Sequence, residues 1–113
     1  MGTKKNDILQ GTLVLLVLKT LAGQKSMHGY AITAHIHAVS DQLLRVEEGS
    51  LYPGLQRLLK AELVKAEWGI SSTNRRVRIY KLTPAGAKHL QQEVSRFERM
   101  LEGITRVLSP RQS

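Results

Sequence analysis

Two stretches decide the fold: Glu47-Glu48-Gly49-Ser50-Leu51-Tyr52-Pro53-Gly54-Leu55-Gln56-Arg57-Leu58-Leu59 and Asn74-Arg75-Arg76-Val77-Arg78-Ile79-Tyr80-Lys81-Leu82-Thr83. In the first, Leu51, Leu55, Leu58 and Leu59 recur at helical spacing as a buried stripe, leaving Pro53, Gln56, Arg57 and Lys60 on the opposite side. Gly49 and Ser50 are expected to open this helix. Pro53 is acceptable in a first turn, where its missing amide hydrogen would have no intrahelical acceptor. In the second stretch, residues 77–82 alternate as a strand, and residues 64–68 before it alternate more weakly, with Gly69 to Asn74 a small polar loop between them. A helix, a basic hairpin and a further helix, in that order, make a winged helix-turn-helix, a mainly α (α+β) fold.

Downstream, Thr83 and Pro84 form a helix-start pair: the hydroxyl caps and the ring is pre-set for the first helical position. Within the helix that follows, Ala87, Leu90, Val94, Phe97, Leu101, Ile104 and Leu108 step by 3 and 4 alternately, the spacing of a helix that packs along another helix. A dimer seam is expected there. The plainer reading is an amphipathic helix folded back on its own domain, and only about three heptads leave that open. The division expected is 1–82 for the winged helix-turn-helix, 83–108 for a dimerisation helix in the same compact unit, and 109–113 for a frayed tail.

Upstream, Asn6 or Asp7 can cap a first helix from about Ile8 to Ala22, ended by Gly23. Leu9, Leu13, Val14, Leu16, Val17, Leu18 and Leu21 cover most of its circumference, more than one neighbour in a small domain can bury. Ser26 is the expected cap of a second helix, residues 27–39, with Ile32, Ile36 and Val39 on one face and Tyr30 packed inward. The link from Ser40 to Glu48 carries Leu43, Leu44 and Val46, which should hold it to the core.

The 113 residues suffice for one modest core and leave no room for a second domain. With 17 Lys+Arg against 9 Asp+Glu the formal charge is +8, which favours a polyanionic partner. No acidic residue falls between Glu67 and Glu93, whereas Arg75, Arg76, Arg78, Lys81 and Lys88 do, so the charge is gathered where a wing would lie. The chain has no cysteine, hence no disulfide and no thiolate metal site. The apolar run from Leu13 to Leu18 is too short to span a bilayer and is followed by no cleavage site, so a cytoplasmic location is expected. His28, His35, His37 and His89 do not make a metal site, because His35 and His37 stand two apart on a helix and point in different directions. No glycine-rich phosphate loop or nucleophile motif is present, so neither catalysis nor a cofactor is expected.

The ordered motifs resemble the PadR family of transcriptional regulators over nearly the whole chain. Those residues are Gly11-Thr12-Leu13, His28-Gly29-Tyr30, Gly49-Ser50-Leu51-Tyr52-Pro53 with Leu55 and Arg57-Leu58, then Trp68, Arg75-Arg76, Tyr80, Leu82-Thr83 and Gly86. The resemblance implies a dimeric winged-helix protein, usually a repressor, whose C-terminal helix builds the dimer. The short tail is similar to the compact branch with one such helix, some members of which bind flat aromatic molecules at the dimer interface, often beside a tryptophan of the final helix. This chain departs there: its single tryptophan is Trp68, and the final helix offers Phe97. A ligand pocket implied by the resemblance would lie near Val94, Phe97 and Leu101.

Ser50, Tyr52, Pro53, Gln56, Arg57 and Lys60 are therefore expected to face double-stranded DNA. Gln56 suits adenine, Arg57 suits guanine, and the Ser50 and Tyr52 hydroxyls suit phosphates. On the wing, Arg75, Arg76 and Arg78 are the expected phosphate clamps, with a narrow minor groove as a further destination for one of them. Leu90, Val94, Phe97, Leu101, Ile104 and Leu108 are the expected dimer contacts. Glu47 and Glu48 would favour the positive end of the recognition helix. The alternative is a module that holds a protein partner through its apolar first and last helices, and DNA affinity separates the two. A peripheral membrane protein is remote, because the apolar stripes lack flanking lysines.

Overall fold

The computed structural model describes residues 4–24 and 26–109, with side chains from residue 12 onward. The elements run α1 (Lys4–Gly23), β1 (Met27–His28), α2 (Gly29–Val39), α3 (Glu48–Lys60), β2 (Val64–Ile70), β3 (Arg76–Leu82) and α4 (Pro84–Leu108). The sheet is antiparallel with strand order β1-β3-β2, so the hairpin β2–β3 is extended on its inner edge by the two-residue strand. This is the winged helix-turn-helix expected from the sequence, with a long C-terminal helix.

The core is a meeting of three helices over one end of the hairpin. Leu13, Val17, Leu18 and Leu21 of α1 meet Ile32 and Ile36 of α2, Leu51, Leu55 and Leu58 of α3, and Val64 and Tyr80 from the strands. Leu90, in the second turn of α4, completes it. Each fully buried Leu or Ile contributes roughly 1.5–3 kcal/mol relative to exposure. The expected leucine stripe of α3 is thus buried, with Leu59 at its margin.

Several expectations about ends and faces are corrected. Helix α1 already runs at Lys4, so Asn6 and Asp7 lie within it rather than at its start; their side chains and that of Leu9 lie outside the described residues. Residues 27 and 28 pair with Tyr80 and Ile79 instead of beginning α2. His28, not Ser26, caps that helix, its Nδ1 accepting from the Ala31 amide at 3.4 Å. Tyr30 is 67% exposed, and Val39 and Leu43 are also exposed. Helical spacing groups Ile32, Ile36 and Val39, but the core extends only as far as Ile36. In the link, Val46 alone is fully buried and Leu44 partly so. Helix α3 begins at Glu48, which places Pro53 in its second turn. Its ring faces the carbonyl of Gly49, four residues earlier, which therefore lacks the usual amide donor. Of the tail expected over 109–113, Ser109 ends α4 as its cap and residues 110–113 lie outside the described residues.

One residue ties the pieces together. Thr83 caps α4 through Oγ1, which accepts from the Gly86 amide at 3.0 Å and donates to the Glu62 carbonyl at 2.8 Å. Its own amide donates to the Leu63 carbonyl at 3.1 Å. Glu62 takes a left-handed conformation, φ 63°, and closes α3: its amide bonds to Leu59 and that of Leu63 to Leu58, the doubled bond pattern that usually calls for glycine. The end of the third helix, the root of the wing and the start of the last helix are thereby one hydrogen-bonded junction.

Candidate nucleic-acid interface

The amphipathic sequence of α3 fixes what it shows to solvent. With Leu51, Gly54, Leu55 and Leu58 buried, Tyr52, Pro53, Gln56, Arg57 and Lys60 are all exposed, and Ser50 is half-buried. The face expected to meet DNA is therefore brought together on one side of one helix. Its starting end is held by a bond that spacing alone did not suggest: the Val46 amide donates to His37 Nε2 at 2.7 Å, fastening the loop before α3 to α2. Glu47 stands at the cap position without a side-chain cap bond, and Glu48 lies exposed in the first turn, where it favours the helix dipole.

Beside this face the wing rises from β2 and β3. Its tip is a three-residue loop, residues 72–74, in which the Asn74 amide donates to the Ser71 carbonyl at 2.9 Å and Asn74 sits at φ 65°. Asparagine tolerates that left-handed backbone better than most residues. The loop sets the register, which places Trp68 opposite Arg78 and Ile70 opposite Arg76. Strands therefore extend to Ile70 and Arg76, and the loop is shorter than the run from Gly69 to Asn74 suggested. Lys81 is paired with Glu67 at 3.2 Å across the strands, so it is not among the unpaired cations of the wing.

Arg75 and Arg76 are exposed, whereas Arg78 is half-buried. The guanidiniums of Arg76 and Arg78 lie 4.3 Å and 5.2 Å from the centre of the Trp68 ring, itself 56% exposed. A cleft of about 250 Å³ separates this cluster from the start of α3, lined by His28, Gly29, Tyr52, Trp68, Arg78 and Tyr80 among others. Burial pushes the Tyr80 phenol above its ordinary value of 10.0, with Tyr52 adding to the rise and Arg78 opposing it, so the group is neutral at physiological pH. A larger cleft of about 930 Å³ opens between α2, the start of α3 and the wing tip, where Tyr30, His35, Glu48, Tyr52, Thr73 and Arg75 contribute. Trp68 and Tyr80 were not singled out as site residues by spacing. The hairpin register was the signal: once the loop is residues 72–74, Trp68 must face Arg78.

At the far side, α4 leans on α1 through Leu90 and Val94 and then projects. Phe97 is half-buried and lines a groove of about 400 Å³ with Thr12, Val14, Leu15, His89 and Met100. Leu101, Ile104 and Leu108 are 47%, 45% and 76% exposed. Among the described residues no helix is long and apolar enough to cross a membrane.

The profile of the PadR-like transcriptional regulator family matches residues 17–92, from the middle of α1 through the recognition helix and wing into α4. The chain belongs to that family. A PadR-like protein is thus similar over most of its length to a transcriptional regulator from Clostridium thermocellum, with 28% identity, 88% of this chain and 93% of the other covered, and a TM-score of 0.78. The PadR family transcriptional regulator of Eggerthella lenta is 25% identical over 96% of this chain and 92% of its own, with a TM-score of 0.75. Bacillus subtilis PadR, solved in complex with operator DNA, shares the fold at 23% identity with a TM-score of 0.64; 73% of this chain matches 46% of that one.

Proposed function

We propose that this PadR-like regulator is a homodimeric repressor that binds a roughly palindromic operator through α3 and the wing, without catalysis or a cofactor. The observation that carries the reading is the single exposed face of α3, with Gln56, Arg57 and Lys60, standing beside a wing that bears Arg75 and Arg76. That pairing is the chemistry of base reading next to phosphate holding. The operator complex of the Bacillus subtilis relative supports it as a use to which this fold is put. In this reading residues 1–82 carry the DNA-binding unit and residues 83–108 the dimerisation helix, and a protein acting on the chromosome resides in the cytoplasm.

The dimer is supported by the outer half of α4. Leu101, Ile104 and Leu108 share one side of a helix that no other described element covers there. A second copy of α4 removes that stripe from water, and the symmetry of the pair demands a symmetric DNA site with half-sites about one turn apart. A small-molecule effector would then act where the helices meet, near Val94, Phe97 and Leu101, beside the groove that Phe97 lines.

Leu101→Glu combined with Ile104→Glu is expected to convert the dimer to monomers in light scattering while leaving helical circular dichroism largely in place. Operator binding should fall with it, because each half-site alone loses the linked second contact. A double variant that stays dimeric would show that the seam lies elsewhere. For the wing, charge reversal at Arg75 and Arg76 is expected to weaken binding to every duplex alike and to flatten the salt dependence, since phosphate contacts carry no sequence information. A loss confined to one sequence in the same titrations would contradict that role.

A further inference from the structure

The cleft between the start of α3 and the wing gathers positive charge that no described residue answers. Arg76 and Arg78 both rest on the Trp68 ring, and among the described residues neither is in an ion pair. The Nε atom of Arg78 is buried with no hydrogen-bond partner. Two like charges held on one indole repel, and a buried donor without an acceptor destabilises the fold; an anion in the cleft offsets the repulsion between the two guanidiniums. The other groups of the cleft suit such a ligand. Tyr52 and Tyr80 line it, their hydroxyls make no hydrogen bond among the described residues, and the Tyr80 phenol keeps its proton to donate. The volume of about 250 Å³ admits a phosphate or carboxylate group with part of whatever carries it.

We propose that this cleft is an oxyanion seat, occupied by a backbone phosphodiester when the protein is on DNA and open otherwise to free phosphate- or carboxylate-bearing small molecules. The DNA half of the inference rests on the function proposed above; the free-anion half does not. A free anion in the seat displaces a DNA phosphate directly, on the DNA-binding face itself. Such competition needs no change of conformation relayed from α4. The seat joins the recognition helix to the wing, because Tyr52 belongs to one and Trp68, Arg76, Arg78 and Tyr80 to the other.

Trp68 is the only tryptophan in the chain, so its fluorescence reports on the cleft alone. The full-length protein is titrated with sodium phosphate, with sodium chloride at matched ionic strength, and with a labelled duplex whose anisotropy is followed in parallel. The expected result is a saturable fluorescence change with phosphate and with duplex but not with chloride, and a weaker duplex affinity in phosphate than in chloride. Arg78→Gln should weaken the phosphate response about tenfold or more, whereas Arg99→Gln on α4 should leave it unchanged. Should Arg78→Gln fail to fold, Arg78→Lys keeps the charge, removes the Nε donor and should give a smaller loss. A phosphate response without any duplex binding would remove the DNA reading and leave the seat standing. A response to duplex alone would overturn the competition, and a duplex bound by anisotropy while Trp68 stays silent to both anions would overturn the seat.

Discussion

Gly86→Ala is expected to destabilise the protein by about 2–3 kcal/mol, lowering the midpoint of thermal unfolding by roughly 10 °C at fixed protein concentration. Local propensity alone argues for the opposite sign. Gly86 lies in the first turn of α4, and alanine in a helix is favoured over glycine by about 1 kcal/mol. The tertiary contact reverses this. A Cβ at residue 86 would fall on the backbone carbonyl oxygen of Leu63 and within 2.8 Å of Leu82 Cδ1. The Leu63 carbonyl cannot simply withdraw, because it accepts the Thr83 amide and lies one residue from the Glu62 carbonyl held by the Thr83 hydroxyl. The junction of α3, wing and α4 must therefore open to admit one methyl group. Circular dichroism melts of the two proteins decide the sign: an unchanged or raised midpoint would show that the close approach of α4 to residue 63 is not required.

Gln56→Ala combined with Arg57→Ala is expected to reduce affinity for the operator at least about 30-fold, taking the low end of roughly 1–3 kcal/mol for each bidentate base contact. Both side chains are exposed, so the melting temperature should hold within a few degrees. Sequence preference should shrink along with affinity, which separates lost base reading from the uniform loss expected of the wing variant. Titrating the double variant with the operator and with single-base variants of it checks both effects. Preserved preference would assign the reading to other residues of the face, Ser50, Tyr52 or Lys60.

What the sequence made legible was mostly local. The leucines of α3 and the cap made by Thr83 and Pro84 each depend on neighbours within a turn or two, and each stands in the structure as expected. The heptad steps of α4 are legible in the same way, and the folded chain shows Leu90 buried and Leu101, Ile104 and Leu108 exposed. Errors fell where the answer lay far away in the chain. Val39 and Tyr30 obey helical spacing, yet spacing names a face without saying whether another element covers it, and both stay exposed among the described residues. Met27 and His28 become a strand only because β3 offers Tyr80 and Ile79 as partners, more than 50 residues later. The 2.7 Å bond from the Val46 amide to His37 spans nine residues and fastens the loop before α3, which begins at Glu48 with Pro53 in its second turn.

The candidate site divides along the same line. Exposure of Gln56, Arg57 and Lys60 followed from the apolar stripe opposite them, and exposure of Arg75 and Arg76 from their place at the wing tip. Arg78 reads in the sequence as a third equal clamp, but the register sets it across from Trp68, half-buried, its charge shared with Arg76 over one ring. That cluster gives the wing a charged surface facing the start of α3.

The central claim is that these two elements bind a specific duplex, and fluorescence anisotropy tests it most directly, using the DNA upstream of this protein's own gene and a scrambled duplex of equal length, each at two salt concentrations. The account predicts salt-sensitive binding to both, with a preference of roughly a thousandfold or more for the upstream DNA. Equal, weak binding to the two duplexes that vanishes at physiological salt would contradict it, and would leave a basic surface whose partner is a protein.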